Sequence, residues 1–194
     1  MGVAPDHSAR RYAVRRQPEA ARAMSTIPDL LTANQHYADR CDLGGLTGRP
    51  GCRVAILTCM DARLVPSRFL GLEEGDAHVI SNAGGRATDD ALRSLIISYK
   101  LLGTREFLVI HHTECGMQSL DSEHLCRQLQ RDTGVDASGI DFHTFSDLEE
   151  SVRQDVRTIR DSPLIADEIT VRGFVFDVRT GRLREVSEDA RVAT

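Results

Sequence analysis

Short segments rich in apolar and β-branched residues predict three strands, at residues 53–58, 77–81 and 106–111. Between the second and the third, apolar residues recur every three or four positions from Ala91 to Leu102, which is the spacing of an amphipathic helix. Thr88 stands where a helix N-cap is expected, and Gly103 stands at the position that follows a helix end. The pattern therefore predicts a strand, a helix and a further strand in succession.

The remaining segments extend this alternation. Apolar spacing predicts helices at residues 27–37, 118–131 and 146–160, a helical turn at 64–71, and a terminal β-hairpin formed by 169–177 and 183–186. Strands that alternate with helices indicate an α/β fold with a mostly parallel central sheet flanked by helices. The hairpin adds an antiparallel strand at the C-terminal end.

Length and charge narrow the class of protein. A chain of 194 residues favours one domain, and its net charge of −5 speaks against a basic surface that binds nucleic acid. No apolar run approaches the roughly 18 residues that a membrane helix needs. We therefore expect a globular protein with neither a nucleic-acid partner nor a membrane partner.

Residues 1–23 differ from the rest of the chain. They hold five arginines against Asp6 and Glu19, a net charge of +3, and they show no apolar periodicity. Two interpretations stay open: a disordered basic extension, which we favour, and a transit-like presequence that would direct import into an organelle. In both cases residues 24–194 are expected to form a single domain.

The cysteines suggest where chemistry occurs. There are five of them, an odd number without a secretory signal, which disfavours a disulfide framework and favours a reducing, cytoplasmic location. Cys41, Cys52 and Cys126 have no other chemistry-bearing residues around them, so we interpret them as ordinary thiols. Cys59 and Cys115 each follow a predicted strand and are the two candidates for a site.

Candidate ligands follow two strands of the predicted sheet. The first strand leads into residues 58–63, and the third leads into 111–116. Because open α/β sheets bind ligands at the carboxyl ends of their strands, we expect Cys59, His112 and Cys115 to lie close together. Two cysteines and one histidine with an open fourth position form the ligand set of a catalytic zinc.

The same segments indicate how such a site would work. His111 precedes His112 and so points to the opposite face of its strand, where we expect it to be packed or hydrogen-bonded rather than a ligand. Asp61 and Arg63 are two residues apart, which in extended backbone places both side chains on one side. Arg63 would keep the Asp61 carboxylate ionised as a proton acceptor. Alternatively, Asp61 turns away from Arg63 and closes the fourth position on the zinc.

These motifs resemble those of the β-class carbonic anhydrases. The resemblance covers residues 25–187 and is carried by segments 59–63, 77–85, 88–95, 112–116 and 172–177. It implies one Zn²⁺ per chain on Cys59, His112 and Cys115, with Asp61 and Arg63 as a switching pair. It also implies a homodimer or homotetramer in which the N-terminal helix contacts the partner. Ser81 departs from the family, because many members have arginine there.

The resemblance implies an enzyme that acts on a small gaseous substrate. The expected reaction is the reversible hydration of carbon dioxide to bicarbonate, by attack of a zinc-bound hydroxide. The same scaffold also hosts hydrolases of carbonyl sulfide and carbon disulfide, so the alternative is a zinc hydrolase of carbonyl sulfide. A third hypothesis is a zinc-binding domain without catalytic activity.

Overall fold

A computed structural model of the protein describes residues 27–187. The chain forms two compact units. The first unit ends at Gly45, and its described part contains the helix α1, Ile27–Ala38, as predicted. None of the residues of α1 is buried, and the apolar side chains of Ile27, Leu30 and Leu31 are exposed. Residues 1–23 lie outside the described part, so their interpretation stays a prediction.

The second unit, which begins at Leu46, is built on a five-stranded sheet in the order β2-β1-β3-β4-β5. Its strands are β1 Val54–Cys59, β2 Ala77–Asn82, β3 Glu106–His112, β4 Thr170–Phe176 and β5 Leu183–Glu185. The first four strands pair in parallel, and β5 pairs antiparallel with β4. The predicted α/β fold with a terminal hairpin is therefore confirmed.

The helices of this unit are α2 Pro66–Leu70, α3 Asp89–Lys100, α4 Gly116–Ser119, α5 Ser122–Thr133 and α6 Leu148–Arg160. The predicted helix at 118–131 was wrong in its extent, because the chain forms α4 and α5 instead. Leu120 is extended, and the Asp121 carboxylate accepts the backbone N–H of His124 at 2.9 Å, which starts α5 afresh. Within residues 27–187 no helix is long and apolar enough to cross a membrane.

Side chains on the two faces of the sheet form two apolar layers. Ala55, Leu57 and Phe107 are buried on the face covered by α3 and α6. Ile56 and Phe176 are buried on the opposite face, where Phe69 of α2 stacks on the Phe176 ring with their centroids 4.4 Å apart. Alternation along a strand places consecutive side chains on opposite faces, which decides the environments of the last two residues of β3.

Candidate metal centre

The carboxyl ends of β1 and β3 bring three potential metal ligands together. The strands are parallel neighbours, with Thr58 opposite Ile110, so that Cys59 and His112 end their strands side by side. The ligand atoms of Cys59, His112 and Cys115 all lie within 4.8 Å of one another, and all three residues are buried. The structure thus brings together the predicted trio.

Cys115 reaches the cluster because the chain turns sharply after β3. Glu114 adopts a left-handed conformation with φ of 59°, which is uncommon for a residue with a side chain. The backbone resumes extended geometry at Cys115, the residue that precedes α4. This turn is what allows a histidine and a cysteine three positions apart to face the same point.

One ring nitrogen of His112 faces the cluster, and the other forms a hydrogen bond that fixes the ring. Its Nδ1 lies 2.9 Å from the Thr113 carbonyl oxygen, an acceptor, so Nδ1 carries a proton. Its Nε2 is buried and has no hydrogen-bond partner among residues 27–187. The Asp61 carboxylate oxygen Oδ2 is 3.8 Å from it. A buried imidazole nitrogen without a partner, held by a hydrogen bond on its other nitrogen, is the arrangement of a metal-ligating histidine.

The two buried thiols complete the donor set. Hydrogen bonding to Cys115 lowers the pKa of Cys59, whereas the neighbouring Cys59 sulfur and burial raise the pKa of Cys115. One of the two sulfurs is therefore easily ionised, while the second would place a negative charge beside the first. A divalent cation relieves that repulsion, and two thiolates with one imidazole suit zinc. The residues present fit a zinc ion.

Asp61 and Arg63 form a two-pronged ion pair beside the cluster. Arg63 donates from Nε to Asp61 Oδ1 at 2.9 Å and from a terminal nitrogen to Oδ2 at 2.8 Å. The expected extended backbone was wrong, since Oδ1 also accepts the Arg63 backbone N–H and the segment is a turn. The Arg63 hydrogen bonds lower the pKa of Asp61 to about 2, which keeps this carboxylate ionised.

Glu114 and Arg179 extend this pair across the surface. Arg63 donates to the Glu114 carboxylate at 3.3 Å and to the Glu114 carbonyl at 3.2 Å. Arg179, from the turn between β4 and β5, forms an ion pair with the same carboxylate. Glu114 is exposed, and sequence reasoning missed both of its partners. The spacing offered no signal for Arg179, because the two residues are 65 positions apart.

The remaining cysteines and His111 agree with their sequence interpretations. Cys41 and Cys52 are exposed, and the Cys126 thiol donates to the Ala137 carbonyl oxygen at 3.4 Å. His111 is buried on the opposite face of β3 from His112 and is hydrogen-bonded there. None of these four belongs to the cluster of three ligands.

The fold and the site define a class of protein: a parallel α/β sheet whose adjacent strand ends carry a buried set of two cysteines and one histidine beside an aspartate–arginine pair. Residues 54–183 match the family model described as carbonic anhydrase. Beta-carbonic anhydrase 1 of Mycobacterium tuberculosis is 44% identical over 84% of this chain and 99% of the relative. The chain belongs to the β-carbonic anhydrase family.

Two further comparisons refine the relationship. The crystal structure of a carbonic anhydrase from Streptococcus mutans is 49% identical, has a TM-score of 0.77, and covers 85% of this chain and 99% of that chain. A carbon disulfide hydrolase of Acidithiobacillus thiooxidans is 34% identical over 68% of this chain and 76% of the relative. The family therefore includes relatives with two differently named activities.

Proposed function

We propose that the protein catalyses the reversible hydration of carbon dioxide to bicarbonate. The observation that carries the proposal is the convergence of Cys59, His112 and Cys115 within 4.8 Å, next to an ionised Asp61 held by Arg63. The relative named beta-carbonic anhydrase 1, at 44% identity, supports the same reaction.

In this proposal Cys59, His112 and Cys115 hold one zinc ion per chain. A zinc ion held there would supply a Lewis acid that lowers the pKa of a water molecule from 15.7 toward ~7, which would make hydroxide available to attack carbon dioxide. The two cysteines supply negative charge, and the hydrogen bond from His112 Nδ1 to the Thr113 carbonyl fixes the ring that binds through Nε2.

Asp61 and Arg63 act on the reacting water. Arg63 keeps the Asp61 carboxylate ionised, so it can accept a hydrogen bond from water and orient its lone pair toward the substrate. The same carboxylate lies 3.8 Å from His112 Nε2. If it rotated away from Arg63 it would become a fourth ligand and close the site. We therefore assign Asp61 and Arg63 both the catalytic role and the switching role.

Hydrolysis of carbonyl sulfide to hydrogen sulfide and carbon dioxide is the second candidate. The relatives named carbon disulfide hydrolase, one of them 34% identical to this chain, favour it. Carbonyl sulfide and carbon disulfide are linear and weakly polar like carbon dioxide, so the same metal and the same nucleophile suit all three. Comparison of kcat/KM for carbon dioxide and carbonyl sulfide on the pure protein decides between the two reactions.

We further propose that the protein works as a homodimer or homotetramer. The exposed apolar residues Ile27, Leu30 and Leu31 on α1 support an interface, since a helix with no buried residue gains stability by packing. Light scattering on the full chain, with Leu30→Asp as the variant, tests this assembly. The cytoplasmic location and the absence of nucleic-acid and membrane partners remain predictions.

The test of function combines metal analysis with paired gas assays across pH. We expect one zinc per chain and hydration activity that rises on the alkaline side, because two thiolates leave a bound water less acidic than three neutral imidazoles do. A flat profile between about pH 6.5 and 9 would contradict that ionisation. Cys59→Ser should abolish turnover, whereas Cys52→Ser, at an exposed cysteine, should leave it unchanged.

A further inference from the structure

A second group of charged residues is buried behind the metal centre, on the other face of the sheet. Arg86 is 7% exposed, His111 1% and Asp155 3%. Arginine and aspartate are almost never fully buried unless they are paired, and replacement of such pairs by apolar residues often leaves stability unchanged. A contribution to stability is therefore a weak explanation for the burial of this group, and its geometry suggests a different role.

Asp155 of α6 joins the other two members. Its carboxylate oxygen Oδ2 accepts from Arg86 Nε at 2.9 Å and lies 3.0 Å from His111 Nε2. The same ring nitrogen is 3.2 Å from the Gly85 carbonyl oxygen. Since both partners are acceptors, His111 carries a proton on Nε2. Arg86 also donates to the Gln154 side chain at 2.8 Å, so α6 holds the guanidinium at two points.

These contacts anchor the loop between β2 and α3. The side-chain amide of Asn82 accepts the Arg86 backbone N–H at 2.7 Å and donates to the Arg86 carbonyl at 2.8 Å, which closes the loop on itself. The Arg86 side chain ties one end to Asp155, and His111 holds the Gly85 carbonyl. The loop is thus fixed to both α6 and β3.

The anchored loop packs directly against the backbone of Cys59, a proposed zinc ligand. Gly85 has φ of 71°, and a Cβ atom there would lie 2.8 Å from the backbone nitrogen of Cys59 and 2.8 Å from the carbonyl carbon of Thr58. Gly85 therefore packs directly against the backbone that carries the Cys59 thiol. Groups that support a metal ligand orient it and tune its metal, so the position of this loop matters for the site.

We propose that Asp155 is a positioning residue for the metal centre. Through Arg86 and His111 it holds the Asn82–Arg86 loop so that Gly85 stays packed against the backbone of Cys59. The inference rests on the proposed zinc site. It assigns the buried carboxylate of α6 a role in how Cys59 binds the metal, although Asp155 itself lies on the opposite face of the sheet.

The test uses Asp155→Asn in the zinc-loaded full chain. We expect zinc affinity, measured by competition with a chelator, to fall about tenfold, the lower end of the range for residues that support ligands. In the cobalt-substituted protein the thiolate-to-cobalt charge-transfer band should shift in wavelength, because the orientation of the Cys59 thiolate depends on the backbone against which the loop packs. Arg157→Gln is the control, since Arg157 lies on the same helix and pairs with Glu150 at the surface.

Zinc affinity within twofold of the wild type, with an unshifted cobalt band, would show that Asp155 is only structural. Arg86→Lys is the second variant if Asp155→Asn does not fold, because lysine keeps the charge but cannot hold Asp155 and Gln154 with a planar fork. It should give the same two changes, and their absence would equally overturn the inference. Zinc binding by the wild type is measured first, because its failure would refute the proposed function instead.

Discussion

Replacing Gly85 by alanine should damage the metal centre through sterics alone. Both Gly85, with φ of 71°, and Gly103, with φ of 81°, adopt the left-handed conformation, so alanine at either position costs roughly 1–2 kcal/mol of backbone strain. At Gly103 the new Cβ meets nothing within 4 Å, whereas at Gly85 it meets the backbone of β1 at 2.8 Å. Strand backbone cannot move aside as a side-chain end can, and such overpacking adds about 1–3 kcal/mol.

The two variants form a matched pair. Alanine lowers the conformational entropy of the unfolded chain relative to glycine. This effect is the same in both variants, so it cancels when their free energies of unfolding are compared. Urea unfolding at a fixed zinc concentration should therefore give a free energy of unfolding for Gly85→Ala that is about 1–3 kcal/mol below that of Gly103→Ala. Zinc affinity should fall only in Gly85→Ala. Equal losses of stability and unchanged zinc affinity would refute the close approach of the loop to Cys59.

Three further substitutions test other contacts. Gly173→Ala would place a Cβ in steric conflict with the Val152 side chain, so urea unfolding should show a loss of about 1–3 kcal/mol that Gly139→Ala, with nothing within 4 Å, does not. Arg63→Ala should raise the pKa of Asp61 from about 2. In the wild type, the ionised Asp61 carboxylate contributes stability that is fully present above its unfolded pKa of about 3.9 and is lost as the pH falls through its folded pKa of about 2. Over this pH range the free energy of unfolding of Arg63→Ala should therefore depend less on pH than that of the wild type. Arg179→Ala removes an exposed ion pair with Glu114, which solvent screens, so the urea midpoint of the variant should equal that of the wild type within error.

The ligand trio could be predicted from the sequence because local rules decide its geometry. Apolar segments mark β1 and β3, parallel strands end at the same edge of a sheet, and so Cys59 and His112 had to meet if the strands were neighbours. Alternation along β3 likewise separated His111 from His112. The contact between Asp61 and Arg63 was predicted correctly, although a turn rather than extended backbone produces it.

Other features depend on contacts between segments distant in the chain. Arg179 reaches Glu114 only because the turn after β4 lies beside the end of β3. Asp155 did carry a signal, since it lies in the apolar stripe of α6, between Val152 and Val156, where a carboxylate needs a buried partner. The partner itself could not be read from the pattern, because Arg86 is 69 positions away.

Titration of the metal-free protein with zinc, while carbon dioxide hydration is followed by stopped flow, tests the central claim most directly. We predict that activity is absent without metal, rises linearly, and stops rising at one zinc per chain. Cys115→Ser should remain inactive throughout, because it lacks one of the three proposed ligands. Full activity without zinc, or a wild-type protein that binds one zinc per chain and hydrates no carbon dioxide at any pH, would contradict the account.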